Sequence, residues 1–213
     1  MAGTHTDRGL DRLVNFTDAA VAIAITLLVL PLMDLVTDGR SHSVASVLAD
    51  ERWTFVAFAL SFAVIAHFWV GHHRLFEHLR DYSNAILWTN FVWLASIVFI
   101  PFTTQLLGEL SSDTRGGNSL YIGVLIVASA CLAVIQWLTV RHPDLQRSDV
   151  RGQLDVRGGL VALGLLLLAF LLDLVAPSVG MFWLLLLFLA GPVARLVGVR
   201  KLPRDRDIIE RPS

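Results

Sequence analysis

The feature that most constrains this chain is a series of long apolar stretches separated by short polar segments. An α-helix needs roughly 20 mostly apolar residues to cross a bilayer, and its backbone groups must be paired within the segment. We therefore predict an all-α membrane protein with six transmembrane helices, at about 16–36, 53–73, 84–107, 119–140, 158–176 and 180–199. The polar N-terminal segment lacks the apolar core of a secretory signal, so the first stretch is expected to be retained as a membrane helix.

Composition supports this interpretation. Hydrophobic residues make up 55% of the chain and charged residues 16%, whereas soluble domains carry about 25% charged residues. A net charge of −1 gives no basic field for nucleic acid. The single cysteine, Cys131, offers neither a disulfide nor a thiolate cluster. We expect one membrane domain, 1–200, followed by a charged cytoplasmic tail, 201–213.

The basic residues predict the orientation in the membrane. Of the 17 Arg and Lys residues, all but Arg40, Arg52 and Arg115 fall on the side that holds both termini. Basic residues near membrane helices accumulate on the cytoplasmic side, so both termini are expected in the cytoplasm.

The first apolar helix begins with polar residues that need an explanation. A carboxylate such as Asp18 is costly in a membrane unless it is paired or faces water. One interpretation is that Thr17 and Asp18 cap a helix that starts at residue 18. The favoured alternative is a polar cluster with Arg12 that holds the helix against its neighbours, because Phe16 already suits the membrane.

Further along helix one, Ile23, Leu27 and Leu30 follow a helical spacing and form one stripe. Thr26 lies one turn beyond Ile23 on a nearby face. Composition alone favours lipid contact or helix packing for Ile and Leu over a pore. The spacing by itself shows no pore.

The second helix ends in a segment with four histidines, His67, His72, His73 and His78. His73 and Glu77 are spaced i, i+4, as metal ligands on a helix can be, but no HExxH arrangement or cysteine accompanies them. A polar network that partners Asp18 or Arg12 is the simpler interpretation. We expect no metal site.

The remaining helices offer few candidates for chemistry. Helix three contains Asn90 and a proline, Pro101, that predicts a kink. Asp173, near the outer end of helix five, is expected to be interfacial. No Ser-His-Asp arrangement, Walker A loop or GxGxxG motif is present in the sequence, so we expect neither an enzyme nor a bound cofactor.

The run Arg12-x-x-x-Phe16-Thr17-Asp18, followed by AAVAIAITLLVL, resembles the R-x-x-x-F-S-D signature of the endosomal/lysosomal potassium channels, the transmembrane protein 175 family. It is most similar to the bacterial homologues, which have one six-helix unit per chain. Thr17 stands where serine is usual, and the hydroxyl is retained.

Other blocks in the first half of the chain also resemble this family. They are Trp69-x-x-His72-His73-Arg74-Leu-Phe76 in helix two and, in helix three, Asn90 and Phe99-Ile-Pro101-Phe-Thr103. The second half agrees only in helix number and hydrophobicity. The resemblance implies that the signature residues hold helix one in place together with His72, His73 or Asn90.

The resemblance also implies a homotetramer in a bacterial inner membrane, with helix one of each subunit around a central pore and without a P-loop filter. Ile23 would form the constriction, Leu27 and Leu30 would continue the lining, Thr26 would affect selectivity, and K⁺ would be the permeant ion. Pro31 replaces an acidic residue that the family often has there, which makes the outer vestibule the weakest part of the correspondence. The alternatives are a secondary transporter and a non-conducting membrane scaffold.

Overall fold

A computed structural model describes residues 7–37, 44–109, 114–151, 154–176 and 182–196. This part of the chain is helical apart from its turns and a bridge between Leu79 and Gln146. A short 3-10 helix, Pro143–Leu145, follows α6. The α-helices are α1 (Asp7–Leu27), α2 (Leu30–Thr37), α3 (Val44–Asp50), α4 (Arg52–Phe76), α5 (Asn84–Glu109), α6 (Thr114–Arg141), α7 (Arg157–Val175), α8 (Leu185–Phe188) and α9 (Ala190–Leu196).

Five helical segments are long and apolar enough to cross a membrane, namely Arg8–Met33, Arg52–Phe76, Asn84–Leu107, Gly116–Arg141 and Arg157–Val175. The prediction of an all-α membrane protein is therefore confirmed. The sixth predicted span, 180–199, lies partly outside the described residues. Over 182–196 it forms two short helices, α8 and α9, so the count of six spans stays a prediction. The predicted tail, 201–213, lies outside the described residues.

Two prolines explain where predicted helices are interrupted. A proline inside a helix has no N–H to donate, and its ring clashes with the carbonyl four residues earlier. Pro31 is four residues after Leu27, where α1 ends, and Pro192 is four residues after Phe188, where α8 ends. Helix one is therefore not the single helix 16–36 that hydropathy predicts, and it also begins earlier, at Asp7.

The main core lies where α5 and α6 pack against α1, α4 and α7. Its largest fully buried side chains include Trp93, Ile97 and Ile100 from α5 and Tyr121, Ile122 and Leu125 from α6. A second cluster joins Leu10 and Leu13 of α1 to residues around the α4–α5 turn. This second cluster accounts for the early start of α1, because the polar N-terminal turns bury leucines there.

Asp173, predicted to be interfacial, has a partner that the sequence analysis did not anticipate. It is buried, and Asn118 Nδ2 donates to its Oδ1 at 3.3 Å. The interfacial position stays a prediction. The pairing was missed because the partner lies on another helix, 55 residues away in sequence, and no local pattern shows such a pair.

Candidate pore helix and its polar anchor

Thr17 lies in the middle of α1 rather than at its start. It is fully buried, and its hydroxyl donates to the carbonyl of Leu13 at 2.8 Å. The helix runs without interruption from Asp7 through Asp18. The interpretation of Thr17 and Asp18 as a cap is therefore wrong, and both residues lie within the first span.

Three buried side chains connect α1, α5 and α4. Asn90 Nδ2 donates to Thr17 Oγ1 at 2.9 Å, and Asn90 Oδ1 lies 2.8 Å from His72 Nε2. The Thr17 hydroxyl already uses its proton on Leu13, so it accepts from the amide of Asn90. The amide oxygen then faces His72, which must donate from Nε2. We call Thr17, Asn90 and His72 the anchor network.

His72 is enclosed by two aromatic rings. Its imidazole stacks on Phe76 with ring centroids 4.2 Å apart and on Trp93 at 4.3 Å. Its Nδ1 has no hydrogen-bond partner among the described residues. The sequence prediction did not assign these two aromatics to the site. Spacing would have shown Phe76, which follows His72 by four residues on the same helix. Trp93 lies on α5, and its position three residues after Asn90 places it near Asn90 but does not show its contact with His72.

A second polar contact joins α1 to α4. The indole of Trp69 donates from Nε1 to Asp18 Oδ1 at 2.9 Å. His73 stacks on the same indole with centroids 5.2 Å apart, and its Nε2 lies 3.3 Å from Glu77 Oε1. Asp18 is therefore paired with a tryptophan and not with a histidine. Across the described residues, no group of three or more His, Cys, Asp and Glu side chains is placed to hold a metal ion.

The two other signature residues lie elsewhere on α1. Arg12 is exposed, and Phe16 is largely exposed with its ring edge against Phe91, at a centroid distance of 6.2 Å. Both line an open cavity beside Gly9 and Tyr82. No hydrogen bond or ion pair links Arg12 to the anchor network or to Asp18 within the described part of the chain.

The far half of α1 has one buried and one exposed face. Val21, Ala24 and Leu28 are at most 2% exposed, whereas the predicted constriction residues Ile23, Leu27 and Leu30 are 60%, 39% and 51% exposed. The turn at residues 28–29 follows 3-10-type bonds, such as Leu28 N to Ile25 O at 3.3 Å. Ile23 and Leu27 therefore lie on one face of the same helix, as their spacing predicts. Leu30 lies beyond the turn, so the helical spacing does not place it on that face.

Thr26 is exposed, and its hydroxyl donates to the Ile23 carbonyl at 2.7 Å. The hydroxyl oxygen therefore keeps its lone pairs available on the outer side of the helix. With its proton committed to the backbone, this side chain can act only as an acceptor towards a ligand. Such an oxygen suits a cation.

The fold and the site together define a polytopic helical membrane protein. Its first span is fixed to α4 and α5 of the same chain by polar contacts on one face and leaves an apolar face exposed. The features that describe the site in this chain are the broken first helix, the buried Asn90–His72 pair and the Trp69–Asp18 hydrogen bond.

Comparisons with known proteins identify the family. The sequence profile of the family described as "Endosomal/lysosomal potassium channel TMEM175" matches residues 12–101. The potassium channel Cha6605_3372 of Chamaesiphon minutus is 33% identical over 194 residues, which cover 84% of this chain and 92% of that protein. A crystal structure of a lysosomal potassium-selective channel TMEM175 homologue from the same organism is similar with a TM-score of 0.66 and 28% identity, over 89% of this chain and 98% of that chain.

This chain belongs to the endosomal/lysosomal potassium channel TMEM175 family, which is a family of ion channels and not of enzymes. The human endosomal/lysosomal proton channel TMEM175 is 32% identical over 118 residues, which cover 52% of this chain and 23% of that protein. The chain thus spans about a quarter of the length of its human relative.

Proposed function

We propose that this chain is a subunit of a potassium-preferring cation channel in which α1 of four copies lines a central pore. The bacterial relatives and the similar crystal structure are named as potassium channels. The observation that carries the proposal is the exposed apolar stripe of α1 at Ile23 and Leu27, beside a face that is fully buried. Six spans, cytoplasmic termini and a bacterial inner membrane complete the proposal and rest on the sequence.

The polar contacts of α1 support a pore role over simple contact with lipid. A lipid-facing helix needs only an apolar surface, because lipid tails are as apolar as leucine. Here two hydrogen bonds from other helices, at Thr17 and Asp18, fix the rotation of α1 about its axis. A fixed rotation matters when one particular face must meet identical faces across a symmetry axis.

The side chains on that face suggest how ions pass. Four Ile23 side chains around an axis form a narrow apolar neck that gates by dewetting. An ion must shed part of its hydration there, and K⁺ loses water at lower cost than Na⁺. Thr26 offers an acceptor oxygen one turn beyond the neck. Because backbone carbonyls do not replace the hydration shell, we expect a moderate preference for K⁺.

The test is ion flux through the purified full chain in liposomes and planar bilayers, with K⁺ and Na⁺ as probes. Ile23→Ala widens the neck, so we expect higher conductance and a lower K⁺ over Na⁺ permeability ratio. Leu171→Ala on α7 is the matched control, because Leu171 is 59% exposed and Ile23 is 60% exposed. Equal conductance and selectivity for both variants and the unmodified chain would rule out Ile23 as the constriction.

The same recordings address the two alternatives. Flux that saturates and is coupled to protons would indicate a secondary transporter. A chain that stays inert after reconstitution, in a state shown to be folded, would indicate a scaffold.

A further inference from the structure

A second feature of the subunit lies apart from α1, between α4, α6, α7 and α9. It is a cavity of about 330 Å³, within the size range of sites for small organic ligands. Small residues from three helices make room for it, including Gly71, Gly158, Gly159, Ala162, Ala190 and Gly191. Its larger apolar walls include Leu75, Leu132 and Leu187, and four polar side chains also line it, namely His67, Arg74, Ser129 and Gln136. The amide of Gln136 is already paired, because its Nε2 donates to the carbonyl of Asp155 at 2.8 Å.

One charged side chain, Arg74, lines this cavity near the end of α4 that precedes the α4–α5 turn. Arg74 is exposed and forms no ion pair with any carboxylate that the structure describes. The carboxylates on adjoining segments have other partners, since Glu77 lies 3.3 Å from His73 and Asp155 lies 3.7 Å from Arg157. The positive charge at the mouth of the cavity is therefore not neutralised within the described subunit.

Two further polar side chains line the cavity deeper in the membrane-spanning part. His67 precedes Arg74 by two helical turns, about 10 Å along the axis. Ser129 of α6 is 3% exposed. Neither the imidazole of His67 nor the hydroxyl of Ser129 forms a hydrogen bond to another described residue, although His67 packs against the ring of Phe188. Unpaired polar groups at membrane depth are costly, and they point to a ligand that pairs with them.

We propose that this cavity binds an anionic glycerophospholipid of the cytoplasmic leaflet. Its phosphate pairs with Arg74, its ester carbonyls accept hydrogen bonds from His67 and Ser129, and its acyl chains lie along the leucines. A lipid offers these groups in the required order, with phosphate outermost, ester oxygens below it and hydrocarbon deepest. A basic pocket between spans at the cytoplasmic side has the chemistry that anionic headgroups require.

The test is lipid binding to the delipidated full chain in a neutral detergent, counted by native mass spectrometry. Phosphatidylglycerol and phosphatidylcholine with the same acyl chains are the two probes. We expect phosphatidylglycerol to bind more tightly, and Arg74→Gln to weaken its binding about tenfold, the effect of losing one charge-assisted hydrogen bond. Arg80→Gln is the control, because it removes an exposed charge at the same end of α4 from a residue that does not line the cavity.

A second variant tests the cavity independently of charge. At Gly71 an added Cβ would stand 3.7 Å from Leu132 Cδ1, so Gly71→Leu places a side chain in the space. It should weaken binding of both lipids, whereas Gly123→Leu should not, because Gly123 lies outside the cavity with nothing within 4 Å of its added Cβ.

Three kinds of result would overturn the proposal. One is a lack of charge preference, seen either as equal binding of the two lipids to the unmodified chain or as equal effects of Arg74→Gln and Arg80→Gln. Another is displacement of phosphatidylglycerol by millimolar inorganic phosphate, which would indicate a site for small anions. The third is a change of oligomeric mass in Gly71→Leu without a change in lipid binding, which would place a second copy over the cavity. Because bound lipids are counted without measuring ion flux, the lipid-binding proposal can fail while the channel proposal holds, and the reverse.

Discussion

Replacing Asn90 with leucine tests whether the anchor network stabilises α1 as its geometry implies. Leucine branches at the same side-chain carbon as asparagine but can neither donate nor accept a hydrogen bond. The change removes the 2.9 Å bond to Thr17 and the 2.8 Å bond to His72 together. The two partners are affected unequally. Thr17 keeps its bond to Leu13, whereas His72 is left with neither nitrogen paired.

The magnitude follows from that difference. A buried donor without a partner costs about 1–3 kcal/mol, and hydrogen bonds between membrane helices average about 0.6 kcal/mol. Since His72 is enclosed by Phe76 and Trp93, water cannot easily take the place of the amide. We expect Asn90→Leu to lower the free energy of unfolding by about 2 kcal/mol, a factor of about 30 in the unfolding equilibrium.

The assay is equilibrium unfolding in mixed micelles of a mild detergent and dodecyl sulfate, followed by circular dichroism at one fixed protomer concentration. His72→Phe and the double variant Asn90→Leu/His72→Phe complete a cycle. Removing both partners of a buried hydrogen bond can be nearly neutral, so the double variant should lose at least 1 kcal/mol less than the sum of the single variants. Additive losses, or a loss below about 0.5 kcal/mol for Asn90→Leu, would refute this role of the network.

Two further predictions use the same unfolding assay. Trp69→Phe removes the indole donor to Asp18 and should lower the free energy of unfolding by about 1 kcal/mol. Trp88→Phe, at an exposed residue, is the control and should lower it far less. Equal losses of stability would mean that the hydrogen bond contributes nothing. Gly159→Ala places a Cβ 2.5 Å from Gln136 Oε1 and 3.4 Å from the Cα of Ala133. The glutamine side chain must move away and give up its hydrogen bond to the Asp155 carbonyl, so the change should destabilise the fold. Gly164→Ala on the same helix meets nothing within 4 Å and should be neutral or stabilising by up to about 1 kcal/mol; the opposite order would show that α6 and α7 are not packed this closely.

The membrane helices could be predicted from the sequence because the bilayer fixes both their length and their polarity. Hydropathy does not show where a helix is interrupted, whereas the positions of the prolines indicate where it can be. Pro31 and Pro192 each follow an observed helix end by four residues, and applying that spacing would have divided the first and last predicted spans. Pro101, by contrast, lies inside the continuous helix α5. A proline therefore marks a position where a helix can break, and packing decides whether it does.

The residue types of the site could be predicted, but their pairing could not. The carboxylate of Asp18 was expected to have a partner, and Trp69 and the histidines of α4 were all candidates. Which of them meets the carboxylate depends on the rotation of each helix about its axis, and the sequence does not specify that rotation. The Asn118–Asp173 pair escaped prediction for the same reason.

The spacing of the signature has a geometric consequence on a helix. At about 100° per residue, Val21 and Ala24 fall within about 40° of Thr17, and all three are buried. Arg12, Phe16, Ile23 and Leu27 lie together on one neighbouring side, about 80–140° away from Thr17 in the same direction, and all four are exposed.

The signature therefore combines residues from two faces of α1. Thr17 and Asp18 attach the helix to α5 and α4 of the same chain, whereas Arg12 and Phe16 continue the face that carries Ile23. The hydrogen bond at Thr17 lies six residues before Ile23, about 9 Å along the helix axis. Any rotation that turned Ile23 into the core would break that bond. The buried half of the signature thus determines which way its exposed half and the predicted constriction face.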